Sequence, residues 1–143
     1  MMLHLSRSHE QQIKREARAG YPHEVCGLLI GRVTRDGADV VRCASAPNVT
    51  DGDPRRRFSI APQFLIDTQR RLRQEGLAVI GVYHSHPNQP PRPSQTDVAQ
   101  GWPDLLYVIC QTEPDSCGPM TAWRLDAQAN AFEQVTISTS PAA

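Results

Sequence analysis

Apolar and polar positions along this chain follow two periods, and the places where the period changes mark its elements. From Ser8 to Ala19 the apolar residues Ile13 and Ala17 stand one helical turn apart among charged neighbours, with Gly20 as a stop, which predicts a helix. A second helix is predicted from Pro62 through Gln74. There Phe64, Leu65, Thr68 and Leu72 recur at helical spacing, Pro62 suits a first turn, and Gly76 follows the end. The runs Val25 to Gly31, Val40 to Ala46, Leu77 to Tyr83, Leu105 to Cys110, Met120 to Leu125 and Phe132 to Ile137 are apolar and read as strands. Leu3 to Leu5 reads as a short edge strand and Phe58-Ser59-Ile60 as another short strand, while Arg35-Asp36-Gly37 supplies a turn. Element types alternate without any repeat. The expected fold is therefore a single α/β or α+β domain over residues 1–137, a mixed curved sheet flanked by helices, with a flexible tail over 138–143.

A chain of 143 residues is large enough to bury roughly two-thirds of its unfolded surface without disulfides or structural metals, so a metal here need not be structural. Formal net charge is zero, which removes a global field for nucleic acid or an anionic membrane. No apolar run approaches the roughly 20 residues of a membrane span, and the first ten residues lack the apolar core of a signal peptide. The expected setting is the cytoplasm. Cys26, Cys43, Cys110 and Cys117 show no C-x-x-C spacing and are expected as buried thiols in a reducing compartment. Arg70, Arg71 and Arg73 fall on the polar face of the second helix; Arg55-Arg56-Arg57 could meet an acidic partner surface.

The chemistry concentrates in one stretch. Tyr83-His84-Ser85-His86-Pro87 and Pro93-Ser94-Gln95-Thr96-Asp97 place two imidazoles, a hydroxyl and a carboxylate close together in sequence. On a strand, residues two apart project from one face about 6.6 Å apart, so His84 and His86 are expected to share a face and Ser85 to point away. Pro87 cannot donate to a ladder and ends the strand, and Ser94 suits the N-cap of a short helix carrying Asp97 in its first turn. Ser94-x-x-Asp97 alone is a capping pattern, and His-x-His alone occurs without metal. Together, at the end of an apolar strand, they make a ligand set for a catalytic zinc that keeps one position for water. Such an ion lowers the pKa of its water toward about 7 and polarises a carbonyl. Glu24, at the start of the strand from Val25, is the candidate base. Ser94 is the candidate donor to a developing oxyanion. His23, adjacent to Glu24, points to the opposite face and is read as structural or exposed.

Glu24 with Cys26-Gly27-Leu28-Leu29-Ile30-Gly31, then Gly81 to Pro87, then Pro93 to Asp97, resembles the JAMM (MPN-plus) metalloprotease signature, with the similarity extending over roughly residues 1–125. The resemblance implies a cytidine-deaminase-like JAMM/MPN fold. It implies zinc held by His84, His86 and Asp97, Glu24 as general acid/base through the metal-bound water, and Ser94 steadying the tetrahedral intermediate. It also implies an isopeptidase of the small stand-alone bacterial branch, acting at the C-terminal tail of a ubiquitin-like sulfur-carrier protein. An extended, glycine-ended tail could thread to the metal and pair with a sheet edge. The rival readings are a non-catalytic MPN scaffold that only binds proteins and an arginine-based nucleic-acid module. A zinc nucleobase deaminase is excluded, because its H-x-E with P-C-x-x-C is missing.

Overall fold

In the computed structural model of the protein, residues 1–95, 97, 102, 104–126 and 128–140 are described. Along the chain these form β1 (Met2–Ser6), α1 (Arg7–Gly20), β2 (Cys26–Thr34), β3 (Gly37–Ala46), α2 (Pro62–Arg73), β4 (Ala78–Pro87), β5 (Leu106–Glu113), β6 (Ser116–Asp126) and β7 (Ala131–Ser140). Gln95 and Asp97 lie in a further helical turn between β4 and β5. Among the described residues no helix is long and apolar enough to cross a membrane.

The sheet is mixed, as expected, but it also closes. Its order is β1-β3-β2-β4-β5-β6-β7, and β7 returns to pair in parallel with β1. Two expectations change with that closure. Leu3 to Leu5 is no edge strand, because β1 is hydrogen-bonded to β3 on one side and β7 on the other. The tail is shorter than expected: Ser138, Thr139 and Ser140 pair with His4, Leu5 and Ser6, and backbone pairing holds them where side-chain polarity gave no strand signal. Positions 141–143 lie outside the described residues. The segment Phe58-Ser59-Ile60 is not a strand either; it is irregular chain tethered by Asn48, whose side-chain oxygen accepts the Ser59 N–H at 3.1 Å.

Two apolar layers fill the molecule. The inner one gathers Leu3, Leu5, Leu29, Ile80, Tyr83, Val108, Cys110 and Val135 around Ile13 and Ala17 of α1, which packs against β1, β3, β4, β5, β6 and β7. Helix α1 therefore sits within the curve of the sheet. Its start is fixed by Ser6, whose hydroxyl accepts the His9 N–H at 3.2 Å. The outer layer gathers Cys26, Leu28, Ile30, Val79, Val82 and Tyr107 under Leu72, Phe64 and Leu65 of α2. Arg70, Arg71 and Arg73 are exposed on its far side, as the pattern predicts.

One irregularity decides which layer the histidines face. Gly81 pairs with Leu29 and Val79 with Ile30, so Ile80 is an extra residue in β4. It turns inward while Val79 and Val82 on either side face outward. From Val82 the alternation is regular, so His84 and His86 continue on the outer face and Tyr83 and Ser85 on the inner.

Candidate metal centre

Both histidines lie on β4, which ends at Pro87, as expected. β4 runs to Pro87 because β5 pairs with it in parallel, from Gly81 opposite Leu106 to Pro87 opposite Thr112. Both imidazoles are nearly inaccessible, His84 at 1% and His86 at 2% exposure. Their Nε2 atoms are 3.2 Å apart. Asp97 Oδ2 lies 3.3 Å from His86 Nε2 and 3.5 Å from His84 Nε2. Ser85, on the other face, accepts the Val25 N–H at 2.9 Å and donates its own N–H to the Val25 carbonyl, which ties the histidine strand to the segment carrying Glu24.

Asp97 is brought in by a reciprocal cap. The Ser94 hydroxyl accepts the Asp97 N–H at 3.1 Å, and Asp97 Oδ2 accepts the Ser94 N–H at 2.8 Å. The predicted cap and the predicted carboxylate thus form one unit, while Thr96 between them lies outside the described residues. Ser94 Oγ accepts in that bond, which leaves its O–H proton free to donate elsewhere.

Glu24 is buried at 3% exposure. One of its carboxylate oxygens lies within 4.8 Å of ligand atoms of His84 and His86. Its backbone is held from both sides, with the N–H donated to the Pro54 carbonyl and the carbonyl accepting from the Asn48 amide at 3.1 Å. His23 is exposed, as expected.

Burial sets the electrostatics, and the four groups then act on one another. Burial pushes the Glu24 carboxyl up to about 8, with His86 opposing and the Asp97 charge adding to the rise. Asp97 is also buried, yet its bonds to the two imidazoles hold it well below the usual carboxylate range. Burial lowers His84. Burial works the same way on His86, but Asp97 and the Pro90 carbonyl outweigh it and the ring stands above its ordinary value.

Two imidazole nitrogens and a carboxylate oxygen converging in a buried place suit a divalent cation of the zinc kind. The protonation pattern fits as well. His86 Nδ1 lies 2.9 Å from the Pro90 carbonyl, which can only accept, so the Nδ1 proton is fixed and the Nε2 lone pair faces the cluster. Among the described residues His84 Nδ1 has no hydrogen-bond partner, so its Nε2 is the nitrogen with polar company.

Three supporting residues are not legible in the sequence. Phe58 stacks on His84 with centroids 4.4 Å apart. Asn48 joins the Glu24 carbonyl to the Arg57 carbonyl and the Ser59 N–H. Thr121 donates to the Pro91 carbonyl and so tethers the loop that holds His86. Each acts across a long gap in the chain, and nothing in local composition marks the pairing.

A family model described as prokaryotic homologs of the JAB domain matches residues 6–126. The chain belongs to this family. It is 37% identical over 110 residues to a desampylase of Haloferax volcanii, covering 76% of this chain and 74% of that protein. It is 34% identical over 92 residues to a probable TtuB-protein conjugate cleaving protease of Thermus thermophilus, covering 64% of this chain and 58% of the relative. Among solved structures, a protein from Desulfitobacterium hafniense superposes with a TM-score of 0.83 at 26% identity, covering 99% of this chain and 94% of the other. Family and fold thus agree with the resemblance read from Glu24, the histidine strand and the Ser94 to Asp97 segment.

Proposed function

We propose that this chain is a zinc-dependent isopeptidase that works in the cytoplasm and cleaves an amide bond at the C-terminal tail of a ubiquitin-like sulfur-carrier protein. The observation that carries the reading is the convergence of His84 Nε2, His86 Nε2 and Asp97 Oδ2 with the buried Glu24 carboxyl beside them. Membership of the prokaryotic JAB family and similarity to a desampylase support the reaction class and the kind of substrate.

His84, His86 and Asp97 would hold the metal. When bound, zinc supplies a Lewis acid that polarises the scissile carbonyl and makes water nucleophilic at neutral pH. Glu24, whose burial brings its carboxyl toward the working pH, takes a proton from the attacking water and returns it to the leaving nitrogen. Ser94 donates its free O–H to the oxygen that gains charge at the tetrahedral stage. Asp97, kept ionised by its neighbours, stays a ligand and takes no part in proton transfer.

The closed sheet revises how a tail reaches the site. Among the described residues every strand has neighbours on both sides, so no whole edge there is free for an added strand. A cavity of about 240 Å³ opens beside Asp97 instead, lined by Phe58, Ile60, Val82, Trp102 and Tyr107 among others. Its apolar walls suit an extended backbone with small side chains. Arg55 and Arg56 line a second cavity of about 410 Å³ with Pro87 and Asn88, where an acidic partner surface could settle.

The deciding experiment incubates the protein with ubiquitin-like carriers bearing short C-terminal extensions and reads the products by mass spectrometry. Cleavage at the carrier's end by wild-type protein, lost in Glu24→Gln with about one zinc per chain retained, is the expected result. An intact carrier, or wild-type turnover by Glu24→Gln, overturns the reading. Metal-free wild-type protein that takes up no zinc would favour a binding scaffold.

A further inference from the structure

Away from the metal centre, two of the four cysteines meet. Cys110 of β5 and Cys117 of β6 have their sulfurs 3.1 Å apart. Their approach follows from an irregularity in the hairpin. Cys110 pairs with Met120 and Thr112 with Cys117, so β6 carries one more residue than β5 over that interval and the ladder shifts. The shift slides Cys117 along β6 toward Cys110. The other two thiols lie elsewhere: Cys26 is in the outer layer against the Ala46 carbonyl, and Cys43 is buried in β3.

The two members of the pair differ. Cys110 is fully buried in the inner layer, while Cys117 is half-buried, contrary to the expectation that all four thiols are enclosed. Cys117 lines an open cavity of about 800 Å³ whose wall carries Lys14, Arg15 and Arg18 of α1 opposite Glu113 and Asp115. A small solute can therefore reach one thiol, and the second waits behind it.

We propose that Cys117 and Cys110 form a reversible dithiol–disulfide site that reacts with small disulfides such as oxidised glutathione. The Cys117 thiolate attacks one sulfur of the small disulfide, the S–S bond of that molecule breaks, and one small thiol leaves. The Cys110 thiolate then attacks Cys117 Sγ, displaces the second small thiol and closes the internal bond. The two protons lost by the cysteines end on the two released thiols. The two electrons of the new protein bond are balanced by reduction of the small disulfide. Closing the bond needs the sulfurs to approach by about 1 Å to the usual 2.05 Å. The order of attack follows from access, and burial also pushes the Cys110 thiol up, which leaves it a poor first nucleophile.

The test treats reduced, folded protein with oxidised glutathione, removes the reagent, and counts thiols after denaturation alongside intact mass and peptide mapping. The expected result is loss of two of the four thiols, a mass lower by two hydrogens, a Cys110–Cys117 cross-link, and full reversal by dithiothreitol. In Cys110→Ala the glutathione should remain on Cys117 as a stable mixed disulfide, and Cys117→Ser should keep its remaining thiols. Four free thiols in treated wild-type protein, a stable adduct on wild-type Cys117, or a cross-link through Cys26 or Cys43 would each overturn the proposal. None of these readouts depends on isopeptidase activity.

Discussion

His86 gives its Nδ1 proton to the carbonyl of Pro90, 2.9 Å away, and this single bond turns the other ring nitrogen toward His84 and Asp97. The carbonyl is held in turn, because Thr121 on β6 donates to the next carbonyl, that of Pro91. Replacing Thr121 with valine keeps the shape and frees the loop. A fall in kcat of about tenfold is expected with zinc stoichiometry unchanged, since groups that orient a ligand typically contribute 10–100-fold. Thr121→Ser, which restores the donor, should recover most of the rate. Equal kcat in Thr121→Val and wild type would detach this loop from catalysis.

A metal that binds only the folded chain must raise its melting temperature. With free zinc at about 100 times Kd the gain is about 2.7 kcal/mol, which for a chain of this size corresponds to roughly 5–10 °C. Calorimetry of chelator-stripped protein with and without added zinc measures it. His84→Ala, which removes one nitrogen of the cluster, should show little of the rise. A wild-type transition indifferent to zinc would remove His84, His86 and Asp97 as a ligand set.

In metal-free protein the Glu24 carboxyl sits at about 8, against 4.5 for a free glutamate. The folded state therefore binds the proton more tightly than the unfolded state. Its stability is greatest while Glu24 is protonated and declines as pH rises from about 4.5 through about 8. The loss is on the order of a few kcal/mol over that window. In urea melts of stripped protein, wild type and Glu24→Gln should be closest at low pH and diverge as pH rises, wild type losing stability more steeply, by up to about 1.4 kcal/mol per unit. Parallel pH profiles for the two proteins would show that Glu24 is not the group responsible.

Gly27 lies under the Tyr83 ring, and a Cβ there would come within 2.2 Å of Tyr83 Cζ. The ring cannot simply move aside. It is fully buried and its hydroxyl donates to Glu16 Oε1 at 2.7 Å. Gly27→Ala should cost about 1–3 kcal/mol, as overpacking of a buried site does. Placed on a Tyr83→Leu background, the same alanine should cost clearly less, and a thermodynamic cycle of the four proteins reads that coupling. An alanine tolerated equally in both backgrounds would contradict the packing.

The elements that depend on local pattern were legible in the sequence. Ile13 and Ala17 marked the inward face of α1, Thr68 and Leu72 that of α2, and the apolar run before His84 marked β4. The shared face of His84 and His86 and the cap joining Ser94 to Asp97 were legible too, because strand alternation and a capping pattern constrain side-chain direction over a few residues, while Glu24 was joined to them through the family resemblance. What failed is what depends on distant pairing. Ser138 to Ser140 are extended only because Met2 to Ser6 lie beside them. Ile80 looks like any other residue of its run, yet it is the inserted one that sets the outward face for both histidines. The bond from the Glu24 N–H to the Pro54 carbonyl, thirty residues on, is likewise announced by no neighbour in sequence.

The seam between β1 and β7 joins the first described strand to the last. On a ribosome the residues of β1 would thus wait, with one flank unsatisfied, until β7 has emerged. Such long-range closure is slow by nature, and meanwhile the early strand is available to stray partners. The short length of Met2–Ser6 and its immediate passage into α1 keep that exposed flank small.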